Sequence, residues 1–526
     1  MKKKVEKQYR SHPLTLFPVV IYQLRARTMP SYKLSLLALA SLAAAAPCDI
    51  YAAGGTPCVA AHSTTRSLYS AYNGPLYQVI RGDGAKEDIY ASTPGGVANG
   101  RHQDRFCQRT SCNIGIIYDQ SGHGNHLTQA PPGGAARGPE ANGYDYLSGA
   151  TGAPVKLDGK KAYGVFISPA TGYRNDQPNG TATGDQAQGI YAVVDGSHYK
   201  TGCCFDYGNA ETDNTDPGNG YMETIYFGTG DGSGRGTGSG TGPWIMADLE
   251  NGLFTGKDPI NNPANPTIAH RFITAVVKGE PHHWAIRGGN ARTGDLATFY
   301  DGARPDNGYD PMKKEGAVLL GVGGDNSNWA QGTFYEGAMT QGYPTDETEA
   351  KVQADIVAAK YDVTSLLSGP GLRVNSAVSF RVTTACCSTR YIAHTNDTVN
   401  TQEVTGSSDP ALKQAASWIV RKGLGFDGCY SFESRDRPGS FIRHSNYRLM
   451  VNANDGSKQF GEDATFCTEA GFNGQGNTIR SWNYAARYWR HFEGTGYIAA
   501  NGHPFNFDNG AFFSDDVSFV VGNAFA

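Results

Sequence analysis

Between Pro47 and about Ser365, short apolar runs alternate with turns rich in Gly, Asn, Asp and Pro. The runs Gly115 to Tyr118, Ala162 to Ile167, Gly189 to Val194, Glu223 to Phe227 and Ala317 to Leu320 have strand length and β-branched or aromatic content. Many short strands at this rhythm predict an antiparallel β-sandwich rather than βαβ units. One helix is expected, capped by Asp346 with Glu349 three residues on, and with Val352, Ile356 and Ala359 along one face. The stretch Trp244-Ile245-Met246-Ala247-Asp248-Leu249-Glu250-Asn251-Gly252 alternates as a strand does. That puts Met246, Asp248 and Glu250 on one face.

A Ser/Gly/Pro-rich boundary, Ser365 to Gly371, precedes a region that repeats itself. The matching segments are Arg390-Tyr391-Ile392-Ala393-His394, Ser440-Phe441-Ile442-Arg443-His444 and Arg487-Tyr488-Trp489-Arg490-His491, with histidines 50 and 47 residues apart. Each is followed by a strand-like stretch, opening at Ala415, Asp463 and Asp516. Three all-β repeats that cannot bury a core singly predict a β-trefoil. The expected organisation is therefore an N-terminal extension and signal peptide (1–46), a β-sandwich (47–367) and a β-trefoil (368–526), an all-β chain. Pairing His444 with Asp463 and His491 with Asp516 suits the vicinal hydroxyls of a sugar. The first repeat has Ala415 where the acid belongs, and His394 leads into the sequon at Asn396. Its pocket is expected to be silent and the other two live.

Composition narrows the class. The 526 residues include 68 glycines, 29 tyrosines and 23 phenylalanines, and only 18% are charged, which suits tight turns and aromatic platforms for flat ligands such as sugars. A formal net charge of −4 supplies no basic field for nucleic acid. A mean hydropathy of −0.44, with no long apolar run in the body of the chain, argues against a membrane protein. Leu34 to Ala46 reads as a signal-peptide core, with Met29 a better start than Met1 and cleavage expected after Ala46. A secreted, extracellular protein follows. Ten cysteines fit an oxidising compartment, with Cys48–Cys58, Cys107–Cys112 and Cys429–Cys467 as plausible pairs. Cys203-Cys204 and Cys386-Cys387 are adjacent; whether the latter is a vicinal disulfide or two separate thiols stays open. The sequons at Asn179 and Asn396 agree with secretion.

Two carboxylates on one strand face repel, which a groove open to solvent tolerates better than a dry core. Asp325 ends a second apolar strand, after glycines that allow close approach. Acids delivered by separate strands to one cleft are what glycoside hydrolysis needs. The glycine-dense run Gly228 to Gly242 lacks the lysine and following helix of a phosphate loop and reads as a flexible border to the cleft. His123 and His126 lack further ligands at metal spacing and read as turn residues. There is no Gly-x-Ser-x-Gly elbow.

Longer strings carry a resemblance: Cys48 to Tyr51, Ile117 to Gly122, Cys203 to Glu211, Gly242 to Asn251, Gly323 to Asn328 and the three trefoil segments. From about Cys48 to Ala526 the chain resembles the fungal arabinofuranosidases of glycoside hydrolase family 54 joined to a family 42 carbohydrate-binding module. The resemblance implies a retaining, exo-acting enzyme that removes terminal α-L-arabinofuranosyl units, with Glu250 as nucleophile and Asp325 as general acid/base. It implies that Asp248, Asn251 and the backbone of Gly324 hold the sugar, and that a Cys203–Cys204 disulfide forms a flat apolar wall. In the trefoil it implies sugar contacts from His444, Asn446, Tyr447 and Asp463, and from His491 and Asp516. The implied partners are arabinose-decorated plant cell-wall polysaccharides, arabinoxylan and arabinan, met by a monomer that needs no cofactor or metal. Two departures stand out. The family's tryptophan in the loop before Gly242 is missing, and Glu493 stands where repeat two has Asn446. The competing reading is a non-catalytic cell-wall binder.

Overall fold

The computed structural model describes residues 45–526; residues 1–44, which hold nearly all of the expected extension and leader, lie outside the described residues. Two antiparallel sheets face each other. The larger has nine strands, among them Gln188–Tyr199, Phe272–Glu280 and Gly332–Gln341. The smaller has seven: β1 (Thr128–Gln129), β2 (Tyr173–Asn175), β3 (Asp206–Ala210), β4 (Glu223–Gly228), β5 (Trp244–Asp248), β6 (Leu253–Phe254) and β7 (Ala317–Leu320). Their spatial order is β6-β5-β4-β3-β7-β2-β1.

Alternation decides which side chains face which way. Ile245 and Ala247 of β5 and Ile225 and Phe227 of β4 turn inward and join Val193, Val276 and Phe334 of the larger sheet in one core. Trp244 and Met246 turn outward with Tyr226, and with Leu253 and Cys204 they form a small apolar cluster on the other face. That outer face is the floor of the site.

The expected helix runs from Asp346 to Ala358, but its cap is Thr345 rather than Asp346. The Thr345 hydroxyl accepts the Thr348 N–H at 3.2 Å. Asp346 instead receives Lys278 at 2.7 Å, and the buried Glu349 receives Lys278 and Arg287. Buried cations on the neighbouring strands claim the two acids that sequence spacing assigned to a capping box.

Twelve strands, from Ala377–Val382 to Ser518–Asn523, make the trefoil, and the last pairs with both the first and Asn477–Ser481 to close it. Repetition shows in its core: Phe380, Phe432 and Ile479 recur, as do Ile392, Ile442 and Trp489, and Trp418, Phe466 and Phe519. Asp463 and Asp516 do not open strands as expected. They end short helices, Lys458–Asp463 and Phe513–Asp516, with strands beginning at Phe466 and Ser518. Local capping explains two of the three turns: Ser457 caps one helix, and Asp409 with Pro410 starts the counterpart in repeat one. Arg487 ties the trefoil to the sandwich, donating to the Tyr146 hydroxyl at 2.7 Å.

All ten cysteines are paired: Cys48–Cys58, Cys107–Cys112, Cys203–Cys204, Cys386–Cys387 and Cys429–Cys467. His126 sits in a turn, its Nδ1 accepting the Asp119 N–H at 2.9 Å.

Candidate active site

Five carboxyls gather on the outer face of the smaller sheet. Asp206 begins β3, Glu211 follows it, Asp248 ends β5, Glu250 lies in the turn beyond, and Asp325 follows β7. Tyr226 pairs with both Asp206 and Met246, and Thr224 pairs with both Gly208 and Asp248, so Asp206 and Asp248 share a face with β4 between them. Asp248, Glu250 and Asp325 line one cavity of about 650 Å³ together with Cys203, Gly324 and Tyr309. The glycine-dense loop borders it through Asp231, Ser233 and Arg235.

Glu250 reaches the cavity by a route that alternation did not predict. The strand stops at Asp248. Leu249 pairs with Gly252, and Glu250 and Asn251 form a two-residue turn with φ of +62° and +57°. Tight hairpins demand left-handed backbone at both central positions, which Asn accepts and Glu resists. Such a residue costs on the order of 1–3 kcal/mol and persists where its surroundings hold it. Here they do. Asp248 Oδ1 accepts the Glu250 N–H at 3.1 Å, and the Tyr309 hydroxyl donates to the Glu250 carbonyl at 3.1 Å. The Asn251 amide donates to Asp216 at 3.0 Å on the exposed rim.

Asp325 depends on the glycines before it. A Cβ on Gly324 would lie 2.1 Å from Glu211 Oε1, and one on Gly323 would lie 2.3 Å from Ser327 Oγ. Any side chain at either position would displace its neighbour. The Ser327 N–H donates to Asp325 Oδ1 at 3.0 Å, and the Ala135 N–H donates to the Asp325 carbonyl at 2.9 Å. Arg174 of β2, wholly buried, donates to the carbonyls of Gly324 and Glu211 and so ties the two acid-bearing loops together.

The Cys203–Cys204 disulfide lies against Asp248, with sulfurs 3.8 and 3.3 Å from Oδ2. These three residues come within metal-ligating range of one another, but bonded sulfurs lack the thiolate charge that a zinc-type ion requires. The chemistry of this group does not suit a metal ion.

Electrostatics set the cluster apart. Burial first, then the charges of Glu211, Asp248 and Asp325, push the Glu250 carboxyl up to about 11. Burial pushes Asp248 up to about 7, against the hydrogen bond from the Glu250 N–H. Glu211 also rises to about 7, mainly by burial, and buried Asp206 rises well above the usual carboxylate range. Glu250 Oε2 and both Glu211 oxygens are buried without a hydrogen-bond donor, which favours the protonated form of these carboxyls. A proton on any one acid relieves the others, and the cluster carries fewer charges than carboxyls.

Sequence reasoning assigned no role to Asp206, Glu211, Arg174 or Tyr309. An acid at each end of a short strand was the available signal for the first two. Nothing local marked Arg174 or Tyr309, which act across 150 and 59 residues of chain.

In the trefoil, His444 Nε2 lies 2.8 Å from Asn483 Oδ1 and 3.3 Å from Asp463, and His491 Nε2 lies 2.8 Å from Thr384 Oγ1 and 3.5 Å from Asp516. Each aspartate also meets an arginine, Arg443 with Asp463 at 3.3 Å and Arg490 with Asp516 at 2.8 Å. Asn446 and Tyr447 form the adjoining hairpin turn, both with left-handed backbone, and Glu493 occupies the matching turn of repeat three. Repeat one differs in pairs: Ala393 and Ala415 stand where arginine and aspartate would be. His394 bonds instead to Asp436 at 2.9 Å and Ser434 at 3.1 Å. Cys386–Cys387 lies in the turn Ala385–Cys387, with no function assigned.

Comparison with known proteins agrees with this geometry. Residues 47–362 match the family described as "Alpha-L-arabinofuranosidase B, catalytic", and residues 380–521 match "Alpha-L-arabinofuranosidase B (ABFB) domain". An α-L-arabinofuranosidase of Hypocrea jecorina is 65% identical over 491 residues, covering 93% of this chain and 98% of its own. A probable α-L-arabinofuranosidase B of Aspergillus clavatus is 64% identical over 495 residues, covering 94% and 97%. A crystal structure of an arabinofuranosidase complexed with arabinofuranosyl-α-1,2-xylobiose superposes with a TM-score of 0.90 at 59% identity, over 91% of this chain and all of that one. With its acid-lined sandwich and histidine–aspartate trefoil, the chain belongs to the α-L-arabinofuranosidase B family of glycoside hydrolase family 54.

Proposed function

We propose that this arabinofuranosidase works outside the cell with retention of configuration, Glu250 attacking and Asp325 serving as acid and then base, on arabinofuranosyl side chains of arabinoxylan and arabinan. The observation that carries this is one cavity lined by Glu250 and Asp325, which come from separate loops of the same sheet. Glu250 attacks the anomeric carbon as Asp325 passes its proton to the departing oxygen. Asp325 then takes a proton from the water that releases arabinose. Attack needs an anion, and a proton on Glu211 or Asp248 removes one of the charges that hold the Glu250 carboxyl up. The positive charge that develops on the sugar ring then favours that anion most in the transition state. Asp248, Asn251, the backbone at Gly324 and the disulfide wall hold the ring. The pockets of repeats two and three keep the enzyme on arabinose-bearing polymer, and the first is silent.

Two measurements test this. Glu250→Ala should lower kcat by about 10³-fold or more, roughly 4 kcal/mol. Proton NMR of the first product formed should show the α-anomer; the β-anomer would exclude a covalent intermediate on Glu250.

A further inference from the structure

The protein has six tryptophans. Five are no more than 5% exposed, whereas Trp329 is 52% exposed. It lies on the rim of the cavity that holds Glu250 and Asp325. An aromatic ring this large left in water forgoes about 2 kcal/mol or more of burial, and an exposed indole beside a polar cleft has the chemistry of a sugar platform. Its position is built. The Trp329 N–H donates to the Cys203 carbonyl at 2.9 Å, which fixes it to the segment carrying the disulfide wall. Gly202 leaves the neighbouring space open: a Cβ there would come no nearer than 3.9 Å to Trp329. The glycine-dense loop, whose Gly230 carbonyl accepts the Gly202 N–H at 2.9 Å, lines the same cavity with Asp231, Ser233 and Arg235 but no aromatic ring.

Chemistry says which part of the substrate meets this ring. A general acid must stand beside the bond it protonates, so the leaving group lies on the side of Asp325. Trp329 is on the same loop, four residues on. We infer that Trp329 is the stacking platform for the sugar to which the arabinose is attached. It is thus the residue that favours arabinose on a chain of pyranose units over arabinose on a leaving group without a ring. The inference rests on the assignment of Asp325 as the acid. It also supplies a stacking surface that the glycine-dense loop lacks.

The test compares two substrates with wild type, Trp329→Ala and Trp329→Phe. One is a xylo-oligosaccharide bearing a single arabinofuranosyl unit, and the other is methyl α-L-arabinofuranoside, which offers no ring to stack. Trp329→Ala should raise KM for the oligosaccharide by about tenfold or more with kcat little changed, while kcat/KM for the methyl glycoside stays within about twofold. Trp329→Phe should recover most of the loss. In wild type, xylobiose should shift the tryptophan emission, and Trp329→Ala should abolish that shift. Equal losses on both substrates would mean that the residue only shapes the loop, and no loss on either would mean that the ring touches nothing; each overturns the inference. The methyl glycoside separates this from failure of the catalytic assignment, because an active Asp325→Asn variant would remove the assignment while leaving the Trp329 comparison measurable.

Discussion

The two sites proposed to meet sugar treat their acids in opposite ways. In the sandwich, five carboxyls crowd one face, and the nearest buried cation, Arg174, spends its hydrogen bonds on two carbonyls and on Asp176. In the trefoil, Asp463 and Asp516 each face an arginine and a histidine. Crowded acids without counter-charges hold on to protons and resist ionising, so a small change in their surroundings moves a proton or a bond. Paired acids are fixed charges that orient hydroxyls and do nothing else. Reactivity and grip come from the same residue type in different company.

The sharpest way to break this contrast is at the strained turn. Glu250→Gly removes the proposed nucleophile and installs the residue that left-handed backbone prefers. Activity should fall by about 10³-fold or more, while thermal unfolding shows a gain of about 1 kcal/mol. A variant both inactive and less stable would mean that the carboxyl supports the fold rather than working against it.

Next in size is the cost of the crowding. A carboxyl whose folded pKa is raised binds its proton more tightly in the native state than in the unfolded chain. Stability is then greatest below the unfolded value and declines as pH rises toward the folded value. For Asp248 and Glu211 that window runs from about pH 4 to about pH 7. The protein should therefore lose stability between about pH 4 and about pH 7, and Asp248→Asn or Glu211→Gln should flatten the decline. The contribution is about 4 kcal/mol at most for a group raised by three units. A stability profile equally steep in both variants would place the pH dependence elsewhere.

How much of this was legible in the chain follows from distance. Strand alternation placed Met246 and Asp248 on the outer face and Ile245 and Ala247 in the core, because a period of two is local. The same rule carried Glu250 two residues too far. A tight turn with Glu in left-handed backbone has no sequence signature, since propensity favours Asn or Gly there. The capping box at Asp346 failed because Lys278 and Arg287, distant in sequence, draw Asp346 and Glu349 to themselves. The trefoil announced itself by recurrence, and the proposal of Glu250 and Asp325 as the catalytic pair came through the resemblance rather than through spacing. Asp206 and Glu211 were in plain view, but only the sheet order sets them beside Asp248 and Glu250.

The smallest effects belong to the paired acids, and the chain contains its own control for them. Asp463→Ala should weaken binding of arabinose-decorated polymer by about tenfold, since a charged acceptor is lost. Asp516→Ala should do the same at its own pocket, and His394→Ala should change binding by less than about twofold. Equal losses at all three would overturn the silence of repeat one. Asp463→Ala also strands Arg443, a partly buried cation, and should destabilise the trefoil. Repeat one avoids that penalty by having Ala393 and Ala415 together. Arg443→Ala combined with Asp463→Ala should therefore regain stability without regaining binding. If the double variant binds as well as wild type, the sugar is held by the hairpin at Asn446 and Tyr447, and the charged pair serves only to brace the histidine.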